Sequence, residues 1–371
     1  MKKVISLALA SALTAGIAMA KEIKVGAVMP MSGPLAAYGQ VTNLGVELAH
    51  KLQPKLKNGD TVKLVLIDNK GDKVETANAT TRLIASDKVV AILGALTSTN
   101  TAQTIAIADK KKVPVIASVA TNDKLTARRT FANRVCFTDS FQGEVVANYA
   151  KEQGYKTAVV IVDQAQVYSL GLAKAFQKAF KDNGGKLLKK IRVTSGDKDF
   201  KAVVSQIKNL NPDFMFLPLY HPEASMIARQ SKQLGLNKPM FSGDGVANQT
   251  FIDLGGESVE GYMFTDFFDY TNPPSQTSAD FIKFHEKETN KKEVNSFTAL
   301  GADTYNILID AMNRCEDPSD SICVNNEIKK TTNFDGVSGK ITINGEGNAT
   351  RSAVIKEIRN GQAGFKATVN P

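Results

Sequence analysis

Apolar positions along this chain cluster in two ways, and the two alternate. Short β-branched runs of near-continuous apolar character are followed by longer segments of helical period. EIKVGAVM at 22–29 predicts a strand and 38–52 a helix. VKLVLID at 62–68 predicts the next strand and 73–86 a helix. VVAILG at 89–94, a helix over 100–111 and VPVIAS at 113–118 complete a first β-α-β-α-β-α-β series. Such unbroken apolar strands suit parallel sheets covered by helices on both faces.

A second series starts near residue 140. Helices are predicted over 141–153, 168–182, 199–210 and 222–234, and strands over 157–163, 186–193, 213–219 and 239–243. Gly184-Gly185 and Gly235 stop two of the helices. The tail is less regular: an extended stretch at 261–268, helices over 279–288, 296–315 and 321–330, a short strand within 337–348 and another over 352–358. Two such series predict an α/β protein of two doubly wound parallel-sheet lobes, joined by several short crossings, with late segments returning to each lobe. The expected division is 21–139 with 267–345 for lobe 1, and 140–266 with 346–371 for lobe 2.

The first twenty residues belong to neither series. Lys2 and Lys3 precede an apolar stretch from Val4 to Ile17, and Ala18-Met19-Ala20 is an A-x-A cleavage pattern. This predicts a secretory signal peptide (1–20) and a periplasmic destination. The formal charge of +9 falls to +7 when Lys2 and Lys3 are left out of the count. The remaining lysines are scattered through helices, which points to a solvated surface and to no nucleic-acid partner. In an oxidising compartment Cys315 and Cys323, at the ends of CEDPSDSIC, are expected to form a disulfide. Cys136 in an apolar run is expected to be a buried free thiol.

Catalytic and cofactor signatures are absent. No G-x-S-x-G, no phosphate loop, no G-x-G-x-x-G after the first strand and no zinc-ligand spacing is present. No enzymatic activity, cofactor or metal is therefore expected. His50 and His285 read as surface residues, and His221 as a turn residue between strand and helix.

In open α/β sheets ligands lie beyond the carboxyl ends of strands. The residues there are hydroxyls, tyrosines and one acid: Tyr38, Leu96-Thr97-Ser98-Thr99, Val119-Ala120-Thr121, Tyr168, Tyr220 and Asp244. Hydroxyls and helix N-termini suit a carboxylate, and tyrosines suit an apolar ligand body with a polar rim. Local roles also account for some of them: Ser98 and Thr99 are good helix caps, and Gly243-Asp244-Gly245 reads as an exposed turn in which glycine allows positive φ.

At Ser32-Gly33-Pro34 through Tyr38-Gly39, at TSTNT (97–101), and at Tyr168-Ser169-Leu170-Gly171, Tyr220-His221-Pro222-Glu223 and Gly243–Asn248, the chain resembles the branched-chain amino acid (Leu/Ile/Val)-binding family of type I periplasmic binding proteins. The resemblance covers nearly all of the chain beyond the signal. It implies two lobes joined by three crossings, a monomer that captures one free amino acid by cleft closure, and an ABC permease as partner. Carried over, Ser98 and Thr121 with their backbone amides would hold the ligand carboxylate. The Val119 carbonyl, the Thr121 hydroxyl and Asp244 would hold the ammonium, with Ala120 between them. Tyr38, Leu96, Tyr168, Tyr220 and Phe297 would wall the side-chain pocket. Leucine-binding members carry Glu where this chain has Asp244, a retreat of about 1.3 Å, and Thr97 adds a polar group. Both differences leave open the same fold taking a polar amino acid, an amide or a small organic acid, or serving a membrane receptor as ligand sensor. Glu346-Gly347-Asn348-Ala349-Thr350 also matches a bacterial N-glycosylation acceptor pattern.

Overall fold

A computed structural model describes residues 20–371. The signal-peptide segment lies outside the described residues except for Ala20. The first series folds as β1 (Glu22–Met29), α1 (Ala36–Leu52), β2 (Thr61–Asp68), α2 (Lys73–Arg82), β3 (Ile92–Gly94), α3 (Ser98–Ala108), β4 (Val115–Ala117) and β5 (Ala132–Arg134). Its sheet runs β2-β1-β3-β4-β5 and is parallel throughout. β1, β3 and β4 are buried at almost every position, which their apolar runs require, whereas β2 is half-exposed at one edge.

The second series gives α4 (Asp139–Glu152), β6 (Thr157–Asp163), α5 (Val167–Asp182), β7 (Lys186–Val193), α6 (Lys201–Leu210), β8 (Phe214–Phe216), α7 (His221–Gln233), β9 (Met240–Ser242), α8 (Gln249–Gly255) and β10 (Met263–Asp266). Then follow α9 (Gln276–Thr289), α10 (Ser296–Met312), α11 (Ser321–Ile328), β11 (Phe334–Gly336), β12 (Gly339–Ile343), β13 (Ala349–Thr350), β14 (Ala353–Arg359) and β15 (Gln362–Val369). The second sheet runs β15-β14-β10-β9-β8-β6-β7. The periodicity predicts a parallel sheet, and here the structure differs: β14 and β15 join antiparallel beyond β10. A hairpin needs only a short turn, here Asn360-Gly361, so the chain can close the sheet without a further helix.

The chain passes between the two sheets three times: after β5, after β10 and before β14. α10 returns to the first lobe and packs against α1 so closely that a Cβ at Gly45 would meet the Thr298 carbonyl. Buried polar groups tie the crossings together. Lys356 reaches Asp266 at 2.9 Å and Asp269 at 3.2 Å. Arg351 donates to the Phe267 and Ser338 carbonyls. A buried ion pair is costly unless its geometry is complete, so these contacts fix the crossing segments more than they add stability. Cys315 and Cys323 form the expected disulfide, and Cys136 is buried and free. His285 is buried rather than at the surface, with Nδ1 at 3.0 Å from the Lys291 carbonyl, and His50 is half-buried at the Val62 carbonyl.

Candidate functional site

The strand ends of the two sheets face each other across a cleft, and side chains bridge it. Tyr38, in the first turn of α1, donates its phenol to the Gly245 carbonyl at 2.5 Å and accepts from the His221 N–H at 3.0 Å. Thr99 donates to Gln166 Oε1 at 2.8 Å, and the Asn122 amide donates to the Val167 carbonyl at 2.8 Å. Asn295 donates to the Ala247 carbonyl at 3.0 Å. The conformation is therefore closed.

Between the lobes lies a small cavity of about 10 Å³, room for about one water molecule in this closed conformation. From the first lobe Tyr38, Leu96, Thr97, Ser98, Val119 and Phe297 line it. Tyr168, Tyr220, Asp244 and Gly245 line it from the second. Tyr168 and Tyr220 stack at 5.1 Å, and Tyr38 stacks on Phe297 at 5.5 Å. Eight of the ten residues predicted from strand ends and resemblance thus converge on one cavity.

The other two stand beside it. The Ala120 carbonyl is taken by Arg134 Nη1 at 3.1 Å and by the Cys136 thiol. Thr121 is buried, and its hydroxyl has no partner among the described residues. Its neighbour Asn122 donates its backbone N–H to Ser98 Oγ at 3.3 Å. The helix cap also differs from expectation. Thr97, not Ser98 or Thr99, caps α3, accepting from the Asn100 N–H at 3.3 Å. This leaves Ser98 at the first helical position, where it lines the cavity and its hydroxyl is free of the helix end. Leu96 sits at φ 75°, in the left-handed region, where the chain turns from β3 into this cap. Such backbone is costly for a branched residue and gathers at ligand sites.

The turn at Asp244 is neither exposed nor left-handed. It is a buried 3-10 turn, Asp244–Val246, and neither flanking glycine has a positive φ. The glycines are needed for close approach. A Cβ at Gly243 would stand 2.5 Å from Gln142 Oε1 and from the Tyr168 phenol, and one at Gly245 would stand 2.5 Å from the Leu219 carbonyl. Their absence lets Gln142 and Tyr168 reach the turn. Gln142 Nε2 donates to Asp244 Oδ1 at 2.9 Å, the Asp244 N–H donates to Gln142 Oε1 at 2.7 Å, and the Gly245 N–H donates to Tyr168 at 3.0 Å. Nothing in the local sequence marks Gln142, which lies 102 residues away on α4.

Burial pushes the Asp244 carboxyl up to about 7, with hydrogen bonds from Gln142 and Tyr168 pulling the other way and the nearby Asp266 charge adding to the rise. Burial also raises the Tyr38, Tyr168 and Tyr220 phenols, so all three are neutral donors and acceptors. His221 is pushed down to about 4 by burial and is neutral. The site thus offers hydroxyls and a helix N-terminus on one wall, aromatic rings between, and on the other wall the buried carboxyl of Asp244. Among the described residues no group of three or more His, Cys, Asp or Glu is placed to hold a metal, and no helix is long and apolar enough to cross a membrane.

Two α/β lobes closing on one small polar-ended cavity define a solute-binding protein. The sequence model of the periplasmic binding protein family matches residues 22–363, and the chain belongs to that family. It is 30% identical over 332 residues, 88% of each chain, to the Leu/Ile/Val-binding protein of Escherichia coli (strain K12). It is 31% identical over 310 residues to the Leu/Ile/Val/Thr-binding protein of Salmonella typhimurium, covering 82% of this chain and 83% of that one. Among solved structures, the leucine-binding protein LivK of Thermotoga maritima superposes with a TM-score of 0.92 at 37% identity, covering 94% of this chain and 99% of the other. The substrate-binding protein LivJ of Streptococcus pneumoniae, in complex with isoleucine, gives 0.88 at 31% identity, with 95% and 100% covered. These relatives are substrate-binding proteins, not enzymes, and the family implies the periplasm.

Proposed function

We propose that the protein captures a free apolar L-amino acid, of the branched-chain class, in the periplasm and delivers it as a monomer to an ABC permease. The observation that carries this reading is the placement of Asp244, buried and without a cationic neighbour, across an aromatic-walled cavity from Ser98 at the start of α3. An α-ammonium supplies the charge Asp244 lacks, and an α-carboxylate suits the helix N-terminus with the Ser98 hydroxyl. The unpartnered Thr121 hydroxyl beside Ser98 and Asn122 supports a polar role at the same end. Leu96, Phe297 and the tyrosines take the side chain. The names of the relatives, Leu/Ile/Val-binding and isoleucine-bound, support the same ligand class.

Residues 21–139 with 267–345 are proposed to move as one lobe and 140–266 with 346–371 as the other. A zwitterion completes its contacts only when the lobes meet, so binding favours closure. A panel of the free L-amino acids in a thermal-shift assay, followed by calorimetry, tests the reading. Stabilisation by one or a few of leucine, isoleucine and valine is expected. No stabilisation by any amino acid would sink it.

A further inference from the structure

We propose that Gln142 is the positioning residue of this site: it fixes the Asp244 carboxylate in the orientation and charge state that an ammonium ligand requires. The proposal rests on the reading of Asp244 given above.

The geometry is a two-point clamp. Gln142 Oε1 accepts from the Asp244 N–H at 2.7 Å and also from the Thr265 hydroxyl. Two donors on one oxygen fix which way the amide faces, so Nε2 must point at the carboxylate, and it stands 2.9 Å from Oδ1. The amide thus holds the backbone and the side chain of the same residue. Gln142 itself is fully buried on α4, at the end of its first turn after the crossing from β5. Gly143, next along α4, packs against the backbone of α5 with no room for a Cβ, so the helix that carries the clamp is seated closely on the helix that carries Tyr168. Gly243 leaves the space the amide needs.

Gln142 has no charge, so it favours the ionised carboxylate by donation without neutralising it. A cation in its place would pair with Asp244 and compete with the ligand. An apolar residue would leave the Asp244 N–H and one carboxylate oxygen buried without partners. The other titratable groups around this carboxylate are Asp139 on α4, Asp266 on β10, Tyr38, Tyr168, Tyr220 and Cys136. Burial holds the three phenols above their ordinary values and therefore protonated at neutral pH, and burial also raises the Asp139 carboxyl. Asp266 is paired with Lys356. Gln142 is thus a neutral donor, with Tyr168 the other, and the one that also holds the Asp244 backbone.

The experiment is titration calorimetry of L-leucine and L-isoleucine binding to the full chain from about pH 5 to about pH 8, for the wild type and Gln142→Leu, with melting temperatures of each. Wild-type affinity is expected to fall on the acid side. Gln142→Leu is expected to bind about 10- to 100-fold more weakly at neutral pH, with the acid limb displaced upward by about one pH unit. A loss by the same factor at every pH overturns the role of Gln142 and leaves the ammonium reading of Asp244 intact. A wild type with no acid limb overturns both. If Gln142→Leu does not fold, Thr265→Val carries the test, since it frees the amide to turn. A smaller upward displacement of the limb is expected, and an unmoved limb overturns the proposal.

Discussion

The phenol of Tyr38 joins the lobes by donating to the Gly245 carbonyl while accepting from the His221 N–H. One hydroxyl on α1 thereby holds both the Asp244 turn and the start of α7. Its ring also stacks on Phe297, so the group that closes the cleft is part of the pocket wall. Tyr38→Phe keeps the wall and removes both bonds. Each is worth about 1 kcal/mol, so the closed state is less favoured and L-leucine affinity is expected to fall roughly tenfold or more. Calorimetry reads the affinity, and small-angle scattering reads a larger open fraction. Unchanged affinity would remove Tyr38 from the closing contacts.

Asp244 makes binding depend on pH in a definite direction. Its carboxyl is raised to about 7 in the closed cavity by burial. Raised above the unfolded value of about 3.9, it contributes stability that is present at low pH and lost as pH rises through about 7. An ammonium ligand needs the ionised form, so below that point binding must release a proton. Affinity is expected to weaken by up to about tenfold for each pH unit of acidification, and the ligand-induced rise in melting temperature is expected to be largest near neutrality. A pH-independent affinity over this window contradicts the assignment.

The glycines flanking Asp244 are expected to resist even alanine. Gly243→Ala puts a Cβ into Gln142, Tyr168 and Leu172, and should cost about 1–3 kcal/mol. Gly345→Ala meets nothing within 4 Å and serves as the control, with a change within about 0.5 kcal/mol. Thermal or denaturant melts of the two variants compare them directly.

The Cys315–Cys323 bridge spans eight residues beside α11, and neither cysteine is among the residues that line the ligand cavity. Closing so short a loop stabilises by about 2–3 kcal/mol in the chain-entropy account. Replacing both cysteines by serine is expected to lower the melting temperature and leave L-leucine affinity within about twofold. A large affinity loss would tie this loop to the cleft.

Much of the fold is legible in the sequence because buried parallel strands must be apolar along their whole length. The predicted strand spans 22–29, 157–163 and 186–193 coincide with β1, β6 and β7. What escaped reading lacks that signature. β5 is Ala-Asn-Arg, which has no apolar run and whose polar groups reach distant partners such as the Gly347 carbonyl and Asn325. β15 is mostly exposed at a sheet edge, so it carries no apolar run. Within the site, strand-end logic reached the hydroxyls, the tyrosines and Asp244. It misread the Gly243 and Gly245 turn because close approach and positive φ leave the same letter in the sequence. It missed Gln142 because a glutamine early in a helix signals nothing until the fold brings Asp244 to it. The acceptor-like pattern at Asn348 also has a structural use, since its side chain accepts from Thr126 at 2.8 Å.

The proposed function requires the charge of Asp244 to face a ligand ammonium. Titration calorimetry of L-leucine, L-isoleucine and L-valine against the wild type and Asp244→Ala tests it most directly. Removing one member of a buried charge pair costs about 2–5 kcal/mol, so the variant is expected to keep its fold and lose roughly 30-fold or more in affinity for whichever of the three the wild type binds. An Asp244→Ala protein that is folded and binds as tightly as the wild type contradicts the account.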